Sequence, residues 1–408
     1  MPRHLPLASL LTAALVAATG ASAAATEPGD AFDEALLEAK IAEFAEIGGF
    51  TVIAEARDGD ETWTGAVGDR GLDGGEAAEP DDRVRIASLT KSMISVILLQ
   101  LQDEGAVDLD GVLGDHLPGL LPYEDEPTIR QILSHTGGLD DYFVHLYPSL
   151  LENDISDVEA DHRVHHSPEA LIEMSTEGPL LFPPGEQWSY SNTGYMALGL
   201  LIEELTGNSL GHELDQRVFE AVGMDDSYLP HDDSSGFRGD HLVPYLSTGD
   251  LDRPYFDTSE LSNTQLWAAG GVIAELADVN DFYRAFADGT LLSEEQLAEA
   301  TVYVPTELGF DYGLGLTGLQ LGCPDDPEAM HLGHTGGGLG HQTYSFHSAD
   351  GERQMSFSWN LDDRHYADPA EVQWALFGLL VAGLCGVDID EEPGVMTFAP
   401  QDLMLTNG

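Results

Sequence analysis

A buried helix that starts at a Ser-x-x-Lys sequence is the feature that most limits how this chain can fold. The apolar residues after Ser88-Leu89-Thr90-Lys91 recur at helical spacing: Ile94, Ile97, Leu98 and Leu101. Residues three apart lie on one face of a helix, so the Ser88 hydroxyl and the Lys91 amine can approach each other. Lys91 is one of only two lysines in a chain with 73 acidic residues. The spacing therefore predicts a serine beside a nitrogen base.

This pair has the chemistry of an activated nucleophile. A serine hydroxyl attacks a carbonyl carbon only when an adjacent group takes its proton. Lysine ordinarily has a pKa of about 10.4, but burial and the positive end of a helix both disfavour its charged form. The alternative is that Ser88 caps the helix and Lys91 is a solvated residue of its first turn.

A second motif is Tyr190-Ser191-Asn192, which follows a Pro- and Gly-containing loop and precedes the helical run 195–202. A tyrosine can pass a proton to a leaving group, and an asparagine amide can hold a substrate carbonyl. Ordinary helix capping and tyrosine packing are the alternative interpretation.

A third motif is Gly333-His334-Thr335-Gly336-Gly337, which precedes a strand-like alternation over residues 342–347. No helix follows the glycines, so we reject a phosphate-binding loop. We expect the glycines to let a substrate backbone approach closely, and an exposed strand edge to pair with an extended peptide.

In this order the three motifs resemble the serine β-lactamase-like, penicillin-binding hydrolases. The similarity covers roughly residues 80 to 385. It is most specific to the secreted D-alanyl-D-alanine carboxypeptidases of actinomycetes, on the stretches LLQLQDEGAVDLDGVLGDHLPGLLP, TIRQILSHTGGL and YSNTGYMALGLLIEELTG. His-Thr-Gly, where class C β-lactamases usually have Lys-Thr-Gly, favours the same branch. The resemblance implies a serine hydrolase whose leading activity is cleavage of D-alanyl-D-alanine peptides.

The resemblance also implies a role for each motif residue. Ser88 would be the acylated nucleophile, Lys91 its proton acceptor, and Tyr190 the residue that carries the proton to the leaving group. Asn192 would hold the acyl side of the substrate. The strand side of the cleft would consist of His334, Thr335, Gly336 and Gly337. The backbone N–H groups of Ser88 and Gly337 would form the oxyanion hole.

One position departs from the carboxypeptidase pattern. In that family an arginine that helps to grip the substrate's terminal carboxylate follows Tyr-Gly-Leu-Gly-Leu, whereas Thr317 follows the same sequence here. An esterase, a D-aminopeptidase and a β-lactamase are therefore alternatives. A non-catalytic penicillin-binding sensor is an alternative from a different class.

Two further groups of residues have simpler interpretations. Ser134 and His135 are adjacent and precede a Gly-Gly turn, so we interpret them as structural. Four other side chains have a spacing that would suit a metal ion if their segment were helical. The surrounding acids instead favour a solvated surface loop. These side chains are His162, His165, His166 and Glu169. We expect no metal and no cofactor.

The first 23 residues predict export. Arg3 precedes an apolar run over residues 5–16, and Ala21-Ser22-Ala23 is a small-residue cleavage pattern. Residues 1–23 are thus a predicted signal peptide of a secreted protein. The apolar run 374–384 is about half the ~20 residues that span a bilayer, and it predicts a C-terminal helix packed on a sheet. Cys323 and Cys385 both lie in the exported part, where oxidising surroundings favour a disulfide.

The net charge of −58 predicts a salt-adapted protein. Such self-repulsion destabilises a compact fold in dilute salt, whereas at about 1 M salt the Debye length shrinks to about 3 Å and screens it. Nucleic acid and anionic membranes are excluded as partners by the same charge. We expect a monomer that acts on a small-molecule or peptide substrate.

The order of the elements predicts one α/β (α+β) domain of the β-lactamase type over residues 30–386. Hairpins at 50–67 and 341–359 are expected to join one antiparallel sheet flanked by helices. A mostly helical insertion is expected over about residues 100–264, and residues 387–408 form an acidic C-terminal tail.

Overall fold

The computed structural model describes residues 33–230, 236–306, 308–366 and 368–389. The predicted signal peptide and most of the predicted C-terminal tail lie outside these residues. The described helices are α1 Glu34–Gly48, α2 Thr90–Asp103, α3 Ile129–Leu133, α4 Tyr142–Leu146, α5 Ser156–Asp161, α6 Pro168–Thr176, α7 Asn192–Thr206, α8 Leu210–Leu214, α9 Glu220–Val222, α10 Trp267–Gly270, α11 Leu276–Ala287, α12 Glu294–Ala300 and α13 Pro369–Cys385.

Strands occur mainly at the two ends of the described chain. They are β1 Val52–Asp58, β2 Glu61–Val67, β3 Val84–Arg85, β4 Tyr245–Ser247, β5 Tyr255–Asp257, β6 Ile273–Ala274, β7 Val304–Pro305, β8 Asp311–Tyr312, β9 Thr317–Gln320, β10 Met330–Gly337, β11 Gln342–His347, β12 Arg353–Trp359 and β13 Leu361–Asp362. Eight of them form one antiparallel sheet in the order β2-β1-β12-β11-β10-β9-β8-β7. Both predicted hairpins, β1–β2 and β11–β12, are confirmed in this sheet.

The sheet separates two apolar cores because successive side chains of a strand point to opposite faces. On β1, Val52 and Ala54 pack in the core formed with α1 and α13, whereas Ile53 packs in the core that contains α2 and α7. The predicted C-terminal helix is confirmed as α13. Its end is tied to the segment after β9 by the Cys323–Cys385 disulfide, with Cα atoms 5.2 Å apart, as predicted.

The helix after the Ser-x-x-Lys sequence is buried on nearly every side. Its only residues that are not buried are Gln100, Gln102 and Asp103, near its end. Ser88 lies just before α2, in a 3₁₀ turn formed by Ala87–Leu89. The backbone of Ala87 has φ +50°, an uncommon conformation for a residue with a side chain. This turn presents Ser88 at the helix start.

In the part of the chain predicted as a helical insertion, the described residues form helices α3 to α9 and the short strands β4 and β5. Helix α7 lies against α2 and α10 in the second core. None of the described helices is long and apolar enough to cross a membrane.

Candidate active site

The structure brings the three sequence motifs together in one buried site. Ser88 lies in the turn before α2, Asn192 is the first residue of α7, and His334 lies on β10. Helices α2 and α7 share an apolar core, which fixes Ser88 and Asn192 relative to each other. A rigid arrangement of this kind favours chemistry that depends on fixed distances.

Lys91 lies at the centre of the hydrogen bonds in this site. Its Nζ atom is 3.0 Å from Ser88 Oγ, 2.8 Å from Asn192 Oδ1 and 2.6 Å from the backbone oxygen of Ala269. The side-chain oxygen of Asn192 and the backbone oxygen of Ala269 can only accept hydrogen bonds, so each accepts one from an N–H group of the Lys91 amine. When Lys91 is neutral, its lone pair can then accept a hydrogen bond from the Ser88 hydroxyl. This is the geometry of a general base.

The surroundings of Lys91 favour its neutral form. Burial lowers the pKa of Lys91 to about 7, and the negative charge of Asp141 opposes the decrease. A substantial share of the Lys91 side chains is therefore uncharged near neutral pH. The alternative interpretation of Lys91 as a solvated residue is wrong, because its side chain is fully buried.

Tyr190 stands beside the same hydroxyl. Its phenol group forms a hydrogen bond with the side chain of Ser88, and burial raises the pKa of Tyr190 well above its usual value. The centre of its ring lies 4.9 Å from Lys91 Nζ. Tyr190 thus keeps its proton over the ordinary pH range and can donate it to a leaving group.

His135 fixes the segment that carries Tyr190. Its Nδ1 atom accepts a hydrogen bond from the backbone N–H of Ser191 at 3.2 Å, and its backbone oxygen accepts one from the N–H of Ser189 at 2.9 Å. The centres of the His135 and Tyr190 rings are 4.2 Å apart. His135 is structural, as interpreted from the sequence, but the structure it maintains is the active site itself.

A buried carboxylate lies behind Asn192. Asp141 Oδ2 accepts a hydrogen bond from Asn192 Nδ2 at 2.8 Å, and Asp141 Oδ1 caps α4 by accepting from the N–H of Phe143 at 3.0 Å. Burial raises the pKa of Asp141 to about 6, while the Phe143 N–H, Lys91 and Asn192 act in the opposite direction. No sequence motif pointed to this residue, which is one of 73 acids in the chain.

The strand side of the site contains a neutral histidine. His334 is fully buried, and its Nδ1 atom bonds to the oxygen of Thr335, which can only accept. Its Nε2 atom therefore accepts from the hydroxyl of Tyr312 at 2.9 Å. Burial and the charge of Lys91 lower the pKa of His334 to about 3. His334 cannot supply a positive charge to a substrate at neutral pH.

One of the β10 glycines is required by packing inside the protein. A Cβ atom at Gly336 would lie 2.3 Å from the backbone oxygen of Ile86, and close approach of a substrate backbone to these glycines stays a prediction. Gly336 is thus required because β10 runs against the turn that carries Ser88. The same approach brings Gly337 and Ser88, the two predicted oxyanion donors, onto adjacent backbone segments.

Thr317 occupies the position where the carboxypeptidase pattern has an arginine. It pairs with Gly333, the residue before His334. Its side chain is 2% exposed, and its Oγ1 atom has no hydrogen-bond partner among the described residues. At neutral pH, therefore, neither Thr317 nor His334 supplies a positive charge.

The fold and these motifs match a known family. A family model described as Beta-lactamase matches residues 37–376. The chain belongs to this family. The predicted family and fold class are confirmed.

Relatives of this Beta-lactamase family protein differ in their described activities. It is 25% identical over 291 residues to Penicillin-binding protein 4* of Bacillus subtilis, covering 68% of this chain and 60% of that protein. It is 30% identical over 200 residues to lovastatin esterase of Penicillium rubens, covering 44% of this chain and 48% of that protein. The matches thus span about half of the length of these curated relatives.

A solved structure matches over a longer part. The D-stereospecific amidohydrolase from a Streptomyces species has a TM-score of 0.75 and 28% sequence identity, with 87% of this chain and 99% of that chain covered. The proteins similar to this chain thus include a penicillin-binding protein, an esterase and an amidohydrolase.

Proposed function

We propose that this protein hydrolyses amide or ester bonds next to a D-configured amino acid through an acyl-enzyme on Ser88, and that its leaving group carries no carboxylate. The observation that carries the proposal is that neither Thr317, at the position of the carboxypeptidase arginine, nor the neutral His334 offers a positive charge to a terminal carboxylate. A buried carboxylate without a partner is strongly disfavoured. The likeness to a D-stereospecific amidohydrolase and to an esterase supports this choice.

The reaction follows from the distances in the site. Neutral Lys91 takes the Ser88 proton as Oγ attacks the carbonyl carbon, and the N–H groups of Ser88 and Gly337 bind the oxyanion. Tyr190 gives its proton to the leaving nitrogen or oxygen and regains one from Lys91. A water molecule then attacks the acyl-enzyme, and the proton transfers run in reverse to release the acid and free Ser88.

D-alanyl-D-alanine carboxypeptidase is the second candidate, and the resemblance in sequence favours it. Strand β9 pairs with β10 only from Met330 to Gly333. One edge of residues 334–337 thus has no partner strand within the described ranges, and an extended peptide could add to it. An extended peptide could add to this edge with or without a terminal carboxylate, so the edge does not distinguish the two candidates.

The test uses one acyl group with three leaving groups in about 1 M salt. Acyl-D-Ala-D-Ala, its C-terminal amide and the methyl ester of acyl-D-Ala differ in the carboxylate but share the reacting D-alanine. We expect kcat/KM to be higher for the amide and the ester than for the free acid. A preference for the free acid would establish the carboxypeptidase instead. Folded protein that hydrolyses none of them would refute both candidates.

We also propose that the protein is secreted and acts as a monomer in saline surroundings. The predicted signal peptide and the Cys323–Cys385 disulfide support secretion, and the net charge of −58 supports saline surroundings. Mass spectrometry of protein exported by a host should give a mature chain that begins after Ala23. An intact N-terminus on protein retained inside the cells would contradict export.

A further inference from the structure

Asp141 is linked to the nucleophile by an unbroken series of hydrogen bonds. Its Oδ2 atom is 2.8 Å from Asn192 Nδ2, Asn192 Oδ1 is 2.8 Å from Lys91 Nζ, and Lys91 Nζ is 3.0 Å from Ser88 Oγ. All four side chains are at least nine-tenths buried. Among the described residues Asp141 makes no hydrogen bond to Ser88 or Lys91, so it acts on the reaction through the Asn192 amide and through its charge, which opposes the decrease in the pKa of Lys91.

The carboxylate determines which way the Asn192 amide faces. An ionised carboxylate can only accept hydrogen bonds, so Asn192 must turn its NH₂ group to Asp141 and its oxygen to Lys91. The backbone oxygen of Ala269 takes a second N–H of the amine at 2.6 Å. With both N–H groups of the neutral amine engaged, its lone pair has one remaining direction, which is toward Ser88.

We propose that Asp141 is a positioning residue for Ser88 acylation: by fixing the side-chain amide of Asn192, it aims the lone pair of Lys91 at the Ser88 hydroxyl. The inference rests on the proposed function, because it requires Lys91 to act as the base. Neither a sequence motif nor the family resemblance assigns this role to Asp141.

The other titratable groups around this series do not change their charge near neutral pH. Tyr142 and Tyr190 face Asp141, and burial raises the pKa of both well above the usual value. His135 and His334 face Lys91, and burial lowers the pKa of both. Asp141 and Lys91 are therefore the two groups of this set that titrate in the working range.

Two substitutions separate positioning from simple support of the fold. In Asp141→Asn, the new NH₂ group would meet the NH₂ group of Asn192, so the Asn192 amide turns over and offers an N–H to Lys91. The lone pair then accepts from Asn192 instead of Ser88. In Asp141→Ser, the hydroxyl can still cap α4, and nothing forces Asn192 to turn. Asparagine is the closer match in shape, so a purely structural role predicts the opposite order of damage.

The experiment measures kcat and KM for an activated aryl ester in about 1 M salt, with the unfolding midpoint of each variant. General-base catalysis commonly contributes about 10²–10⁴-fold, so we expect kcat/KM to fall roughly 100-fold in Asp141→Asn and less in Asp141→Ser, with KM nearly unchanged. The control is Asp140→Asn, which removes the neighbouring charge. The Asp140 carboxylate bonds to His145 at 2.8 Å and accepts a hydrogen bond from the backbone N–H of Asp141 at 2.8 Å. Asparagine keeps an oxygen for the second contact, so this variant should keep the wild-type rate.

Activity that follows stability, with Asp141→Ser more damaged than Asp141→Asn, would overturn the inference while leaving the proposed function intact. If neither variant folds, the pH dependence of the wild-type rate tests the inference. Because Lys91 and Asp141 must both be deprotonated, log kcat/KM should fall with a slope that approaches two below pH ~6, over the range in which circular dichroism shows folded protein. A slope of one would overturn the inference about Asp141. A wild type inactive on every ester would reject the proposed function itself.

Discussion

Lys91 donates a hydrogen bond to the backbone oxygen of Ala269 at 2.6 Å, and this contact links the base to α10. The amine is held from both sides, since Asn192 on α7 takes a second hydrogen bond at 2.8 Å. Its remaining neighbour is Ser88 Oγ at 3.0 Å. Burial lowers the lysine's affinity for a proton, and these two oxygens determine where its lone pair points.

We expect activity to rise with pH through about 7, the pKa of Lys91. Below this pKa the amine is an ammonium group and cannot accept the Ser88 proton, so kcat/KM falls as pH decreases. The measurement is kcat/KM for an uncharged ester across the neutral range, with Lys91→Met as an inactive control. An acid limb centred near pH 10, where ordinary lysines titrate, would contradict the role of burial.

We expect His135 to control the rate through its acceptor atom. The φ of His135 is +58°, which both asparagine and glycine tolerate. His135→Asn offers an acceptor to the Ser191 N–H, whereas His135→Gly does not. Small displacements of catalytic groups can cost roughly 100-fold, so kcat should fall further in His135→Gly than in His135→Asn. Equal losses in the two variants would exclude the hydrogen bond as the cause.

The parts of the site that the sequence predicted are those with local patterns. Ser88 and Lys91 are three residues apart, and the periodicity of α2 and the alternation of β11 and β12 are visible over a few residues. His135 and Asp141 act on residues 56 and 51 positions away. In a single sequence nothing separates Asp141 from the other acids, because its importance comes from burial, which depends on packing of distant elements.

Thr317 should determine which leaving group is accepted. We expect Thr317→Arg to raise kcat/KM for a carboxylate-terminated peptide relative to its amide by roughly 10-fold, since a hydrogen bond to a charged group contributes about 1.5–3 kcal/mol. Thr317→Gln, which is long but neutral, is the matched control and should leave the ratio unchanged. A similar shift in both variants would attribute the change to size and not to charge.

The acidic surface should make stability depend on salt. The net charge is −58, and the Debye length falls from about 10 Å at 0.1 M to about 3 Å at 1 M salt. We expect the thermal unfolding midpoint to rise steeply over this range of KCl concentration. Sucrose series of equal osmolarity separate screening from general solute exclusion. A midpoint that is indifferent to salt would refute the salt adaptation.

Intact-mass analysis of the protein after mixing with a slowly hydrolysed ester or a β-lactam tests the acyl-enzyme on Ser88 directly. The mechanism predicts one added acyl group, located by peptide mapping on Ser88, and no added mass in folded Ser88→Ala. The same variant should have lost turnover of every ester that the wild type hydrolyses. Turnover or acylation that persists in Ser88→Ala would show that another residue is the nucleophile.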